Sequence, residues 1–401
     1  MKNAYICSKP EIMINVKFVA YDGAPEKLFK SGKEKFLARF PDIEFEFFAP
    51  NPDILVFLSG GSEQKAIAGL KPGNFYLLTA FEENNSYAAA SEVKARLDQL
   101  GIPSMLTDLH EPHDRKIILR YIRAKQGVRS LNGKTLGLIG EVSPWLLAST
   151  IESKVLKKKL GINLRQIPWE KVQDFADFTY ENSFLEKYQF DNKTETANAA
   201  RIHEALNETV QRENLDAFTI ECFSLVKEKG VTACLSLSEF NDRGLPAGCE
   251  GDLCSITGMM LVQAVTGTIP WMANLIRVSL DCVRFAHCTA PTNLLEQYEV
   301  DTHYETGLGT AVAGTFRADS ITVFRFDNSL SKAFISEGTV ISTHKANHAC
   351  RTQIEVSIPE KDAELLKHHP LGNHHLIIPG HHRSLLKMAC KVSGLRVVNP
   401  E

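Results

Sequence analysis

The chain has 401 residues, 44% of them hydrophobic, and a formal net charge of -3. That length exceeds one ordinary core, so two or three domains are expected, and the near-neutral charge without a long basic run argues against nucleic acid as a partner. Nine cysteines with no C-x-x-C pair suggest neither a disulfide framework nor a zinc knuckle and fit a reducing cytoplasm, and the absence of any apolar run of membrane-spanning length predicts a soluble protein with no membrane partner.

In chain order, Ala4–Cys7 and Asp53–Leu58 read as buried strands, the second running into Ser59-Gly60-Gly61-Ser62. Glycines there serve a tight turn or a close backbone approach, but the spacing is not that of a dinucleotide fingerprint. Phe75–Thr79 and Ile102–Leu106 add two strands, with the polar corner Glu82-Glu83-Asn84-Asn85-Ser86 between them opening a helix. Asp114–Ala124 is an amphipathic helix, and this alternation marks residues 1–128 as an α/β domain. The pattern restarts with the strand Thr135–Gly140, then Trp145 and a helix carrying Leu146, Leu147, Ile151 and Leu156. Ile202–Val210 reads as helix and Ala217–Phe223 as strand, within a second α/β domain over residues 129–290.

That domain carries the stretch LPAGCEGDLCSITGMMLVQAVTG, Leu245–Gly267. Apolar residues recur at helical spacing from Ile256, Asp252 is a good N-cap type and Gly267 a good residue beyond the helix end. Glu250 and Asp252 therefore sit at a strand-to-helix corner, where ligands bind in open α/β sheets. Helix capping and dipole complementation alone would also explain both carboxylates. Residues 291–401 change character: Thr310–Phe326, Ala333–Ile341 and Thr352–Ile358 are β-type runs separated by turns, predicting an antiparallel sandwich or barrel. The expected fold class is α/β, with two doubly wound domains followed by a β-barrel-like domain.

Six of the thirteen histidines fall between Leu365 and Arg383. Imidazole together with carboxylate suits a divalent ion such as Mn²⁺, with Mg²⁺, Co²⁺ or Zn²⁺ as alternatives. Paired histidines on a strand also alternate in and out, leaving one exposed and one satisfied in the core. Trp145 beyond a strand end is either a hydrophobic plug or a ring facing a sugar.

These residues carry a resemblance. Asn373-His374-His375-Leu376-Ile377-Ile378-Pro379-Gly380-His381 resembles the N-H-G-x-x-x-x-G-H signature of the L-fucose isomerase family. Cys249-Glu250-Gly251-Asp252, with Gly267-Thr268 and Trp271-Met272-Ala273-Asn274 downstream, is similar to the carboxylate corner of L-fucose and L-arabinose isomerases. Ser59-Gly60-Gly61, Asn85-Ser86, Gly140 to Trp145 and Cys350-Arg351-Thr352 extend the likeness over nearly the full chain, toward a fucose-isomerase-like branch.

The resemblance implies a homo-oligomeric, Mn²⁺-dependent aldose–ketose isomerase acting on a sugar through an ene-diol. It implies Asp252, Glu250, His374 and His287 as metal ligands, Glu250 and Asp252 as the catalytic carboxylates, and Trp145, Asn85 and Arg351 as substrate contacts. Two departures stand out: no carboxylate occurs around Val231–Cys234, and Asn274 replaces an acidic residue. Both lower the negative charge around the ion, which leaves as the second reading a family member that binds a sugar without isomerising it. A zinc hydrolase or lyase ranks last, because the chain has neither H-E-x-x-H nor a nucleophile elbow.

Overall fold

The structure is a computed structural model that describes residues 12–47, 49–343 and 348–399. The strand expected at Ala4–Cys7 lies outside them. The chain forms two compact units: one runs up to Ser130 and includes Lys391–Gly394, the other takes Leu131–Cys390 and the residues from Leu395 onward.

The first unit is built on a parallel sheet in the order Phe45–Glu46, Ile14–Val19, Ile54–Phe57, Tyr76–Ala80, Ser104–Asp108. This 2-1-3-4-5 order is that of a doubly wound sheet. Ile54–Phe57 and Tyr76–Ala80 are buried at every position, as strands covered on both faces must be. Ile14–Val19 was not expected, because Asn15 and Lys17 interrupt its apolar run. At the carboxyl edge the Gly60 N–H donates to the Asn84 carbonyl at 2.7 Å, and Asn84 and Asn85 take left-handed φ values of 58° and 55°.

The second unit holds two sheets that matter for function. A four-stranded parallel sheet runs Asn163–Ile167, Thr135–Ile139, Ala217–Ile220, Ala247–Gly248. A six-stranded antiparallel barrel runs Ser320–Phe326, His374–Pro379, Trp271–Val278, Cys282–His287, Thr352–Ser357, Lys332–Ser342 and closes back on Ser320–Phe326. Closure removes the exposed strand edges that an open antiparallel sheet would present. Alternate residues fill its interior, among them Trp271, Ala273, Val283, Phe285, Val323, Ile354 and Ile377, all buried, and burying each large side chain contributes about 2–3 kcal/mol.

Two local expectations are corrected. The barrel begins at Trp271, ahead of the boundary expected at residue 290, because Trp271–Val278 pairs with both Cys282–His287 and His374–Pro379. Residues 141–152 form turns rather than a helix, which starts only at Ser153. Their backbone is engaged elsewhere: the Ser149 carbonyl accepts from the N–H groups of Leu253 and Cys254 at 3.1 and 3.2 Å, satisfying the first turn of a neighbouring helix.

That helix, Leu253–Thr266, starts and stops as its sequence predicts. Asp252 Oδ1 accepts from the Ser255 N–H at 2.7 Å, and Gly267 ends the helix with φ 82°. Gly258 lets it approach the barrel: a Cβ there would lie 2.7 Å from Leu376 Cδ1. The close packing brings the helix N-terminus to the start of the His374 strand.

Candidate functional site

Glu250 follows the short strand Ala247–Gly248 and adopts φ 60°, a left-handed conformation uncommon for a residue with a side chain. Gly251, at φ 68°, completes the turn, and a Cβ on it would sit 2.3 Å from the Glu141 carbonyl oxygen and 2.8 Å from Val142 Cα. Both obstacles are backbone, so this corner requires glycine. Gly251→Ala is expected to cost ~1–2 kcal/mol from backbone handedness alone, with the clash added, and to move Glu250. A lowered urea midpoint together with weakened metal uptake checks this; wild-type values for both would contradict it.

The corner aims the Glu250 side chain at two barrel histidines. Glu250 Oε1 lies 3.5 Å from His374 Nε2 and 3.9 Å from His287 Nε2, while Trp145 Nε1 donates to Oε2 at 2.6 Å. Each imidazole is held from behind through Nδ1. His374 Nδ1 meets Asp252 Oδ2 at 2.9 Å, and His287 Nδ1 meets Thr289 Oγ1 at 2.9 Å. Both Nε2 atoms are thereby turned toward the same carboxylate, the arrangement in which an outer partner orients a ligating histidine. Among the described residues, Glu250, His287 and His374 form one group of possible metal ligands, their ligand atoms all within 4.8 Å of one another. His374 Nε2 is buried and makes no hydrogen bond, so it has an unused lone pair or proton facing that space.

Asp252 is fully buried and lies outside this group. Its Oδ2 accepts from Ser255 Oγ at 2.9 Å as well as meeting His374, and stands 3.6 Å from Arg325 Nη1. Arg325 is itself buried, donating to the His374 carbonyl and, at 3.1 Å, to Ser149 Oγ. Gly372 makes room for it, since a Cβ there would come within 2.0 Å of Arg325 Nη2.

The charges follow from these contacts. Burial works to raise the Glu250 carboxyl, but contact with His374, the charges of His374 and His287 and the Trp145 hydrogen bond outweigh it and bring the pKa down to about 2. Burial likewise opposes ionisation of Asp252, yet His374, Arg325 and the Ser255 N–H hold it well below the usual carboxylate range. His374 is raised to about 9: burial lowers it, and Asp252 and Glu250 more than compensate. His287 is pushed down to about 3, by burial first and then by His374, and stays neutral.

The other expected site residues fall in different places. Trp145 is half-exposed with its ring edge-on to Phe223 at 4.8 Å, so it is not a buried plug. Arg351 donates to the Thr302 carbonyl and Oγ1 at 2.8 and 3.0 Å and pairs with Asp301, tying down the segment that carries His303 and Glu305. Asn85 belongs to the first unit, at the left-handed start of the helix Ser86–Gln99. His374 and His375 are both buried, where one exposed ring was expected: His375 points the opposite way, into the barrel beside Phe285 and Phe334. Burial holds His375 down to about 3.

Beside the cluster is a cleft of about 380 Å³ whose lining includes Asn274, Asn373, Arg277, Arg284, Tyr304 and Glu305. Asn274 faces His374 in strand register and accepts a hydrogen bond from Asn373. Glu305 senses Glu250 and His374; burial and the Glu250 charge raise its carboxyl pKa, partly offset by His374.

No helix among the described residues is long and apolar enough to cross a membrane. No family model matches the chain. It is similar to two curated proteins named sulfoquinovose isomerase, from Priestia aryabhattai and from Priestia megaterium (strain ATCC 12872 / QMB1551). Each is 21% identical over 264 residues, and the match spans 61% of this chain and 59% of either relative, so the chain covers about three-fifths of the length of the proteins it resembles.

Proposed function

We propose that the protein is a metal-dependent aldose–ketose isomerase acting on a sugar in the cleft beside Glu250, His287 and His374. The convergence of those three side chains supports this reading most, and the likeness to sulfoquinovose isomerases supports the reaction class. One carboxylate and two imidazoles are a donor set that fits Mn²⁺ or a similar divalent ion. When bound, such an ion supplies Lewis-acid polarisation of the sugar's carbonyl oxygen.

The chain's own residues divide the remaining work. Glu250, ionised down to about pH 2, and neutral His287 are ready ligands; His374 becomes one on losing its proton. Asp252 acts through His374, fixing its ring and leaving Nε2 for the ion. Isomerisation moves a proton between C1 and C2, and neither tightly held carboxylate suits that task. We assign it to Glu305, which faces the cleft and whose carboxyl is raised by burial and by the Glu250 charge, so that it takes up a proton more readily than Glu250. Asn274 and Asn373 offer hydrogen bonds to sugar hydroxyls. Trp145 and Arg351 contribute by fixing Glu250 and the Glu305 segment. A cytoplasmic homo-oligomer completes the reading, the free thiols of the described cysteines supporting the compartment and the family resemblance the assembly.

The test is turnover of an aldose panel that includes sulfoquinovose, with added Mn²⁺ and with a chelator. Ketose formation that the chelator abolishes and Mn²⁺ restores is the expected result. Glu305→Gln should lose about 10²–10⁴-fold in kcat while still binding metal. Stoichiometric metal with no turnover of any aldose would favour the sugar-binding reading instead.

A further inference from the structure

The cleft carries more positive charge than its own fold requires. Arg277 and Arg284 face each other in register on neighbouring antiparallel strands, an arrangement in which like charges repel. Glu355 stands opposite Arg284 on the next strand and accepts from its Nη2 at 2.9 Å. One carboxylate therefore serves two guanidinium groups: Arg277 is exposed, lowers the Glu355 pKa only through its field, and its guanidinium has no hydrogen-bond or ion-pair partner among the described residues. The carboxylate in the cleft lining itself, Glu305, senses Glu250 and His374 rather than the arginines. The cleft thus runs from an acid-base end to a cationic end.

The spacing between the two ends matches a sugar. Asn274 pairs with His374, and Arg277 follows three residues later, ~10 Å along an extended strand even before the irregularity between Leu275 and Arg277 is counted. That is the length of a hexose from C1 to a charged group carried on C6. Two guanidinium forks suit a tetrahedral oxyanion better than a hydroxyl.

We propose that Arg277 and Arg284 form a subsite for an anionic substituent, a sulfonate or a phosphate ester, at the end of the sugar remote from C1. The position of the sugar rests on the isomerase reading; the anion preference rests on the arginine pair alone. Binding is therefore measured with ligands that cannot be isomerised: methyl glucoside, its 6-sulfonate analogue and its 6-phosphate, titrated into full-length protein by calorimetry at low and high salt. An anionic glycoside should bind about 30-fold or more tightly than the neutral one, and this preference should shrink with salt and collapse in Arg277→Ala but survive in part in Arg277→Lys. Comparing the sulfonate with the phosphate identifies which anion fits.

Equal binding of neutral and anionic glycosides, or a preference that Arg277→Ala leaves intact, would overturn the subsite even if the protein isomerises neutral aldoses. Conversely, tight anion-dependent binding that Arg277→Ala destroys would uphold it even if no sugar is turned over. The two readings thus fail separately.

Discussion

Replacing Glu250 by alanine is expected to abolish stoichiometric metal binding and to lower isomerase turnover by about 10²–10³-fold, since among the described residues Glu250 is the carboxylate whose oxygen faces both imidazoles. The variant also changes the pH dependence of the metal-free protein. His374 is raised from 6.5 to about 9 in the fold, so its imidazolium contributes stability that is fully present below about pH 6.5 and lost as pH rises through about 9. The urea midpoint of metal-free wild type should therefore fall across that window. In Glu250→Ala only Asp252 still supports the imidazolium, and the fall should come at lower pH. Metal uptake shows the opposite trend, because the ion must displace the His374 proton: wild-type affinity should rise up to tenfold per pH unit toward pH 9 and then level. Calorimetric titrations at several pH values measure this slope, and a flat profile would remove His374 from the ligand set.

Asp252→Asn should have the largest effect on stability. Asp252 and Arg325 are fully or nearly fully buried and 3.6 Å apart, and the substitution leaves the guanidinium without its counter-charge. Breaking a buried pair from one side costs about 3–5 kcal/mol, much of it from the stranded charge. The double variant Asp252→Asn, Arg325→Met should therefore recover part of the loss, and equilibrium unfolding of the two single variants and the double variant measures the coupling. Independently of stability, removing the partner of His374 Nδ1 should weaken metal binding about 10–100-fold. If Asp252→Asn proves unfolded, Ser255→Ala is a milder probe of the same carboxylate, and metal binding to it is measured below its unfolding transition.

Much of the candidate site was legible because the residues that form it are concentrated in short stretches. Glu250 and Asp252 stand at a corner marked by an N-cap, a glycine stop and helical periodicity, and His374 lies in a dense histidine run. The order of roles within the corner was not legible. Asp252 and Glu250 are two residues apart, yet the left-handed turn at Glu250 and Gly251 sends one carboxylate to the two Nε2 atoms and the other behind His374. Arg325 was missed although it left a trace, a lone cation in the apolar strand Ser320–Phe326. Its meaning depended on Asp252 and Ser149, which are remote in sequence. Residues 141–152 carried enough apolar residues to suggest a helix, but hydrogen bonds from another helix's first turn decide their backbone, and tertiary contacts of that kind leave no local pattern. The paired arginines were likewise invisible, because only the register of Trp271–Val278 against Cys282–His287 sets them opposite each other.

The most direct measurement is proton NMR of the Mn²⁺-loaded protein with an aldose in D₂O, with sulfoquinovose and a neutral hexose run in parallel. Conversion to the ketose with solvent deuterium appearing at C1 is the predicted result, since a carboxylate that carries the proton through an ene-diol exchanges it with water, and Glu250→Ala should slow conversion and labelling together by the same ~10²–10³-fold. Bound metal with no ketose and no deuterium in any sugar would contradict isomerisation at this site.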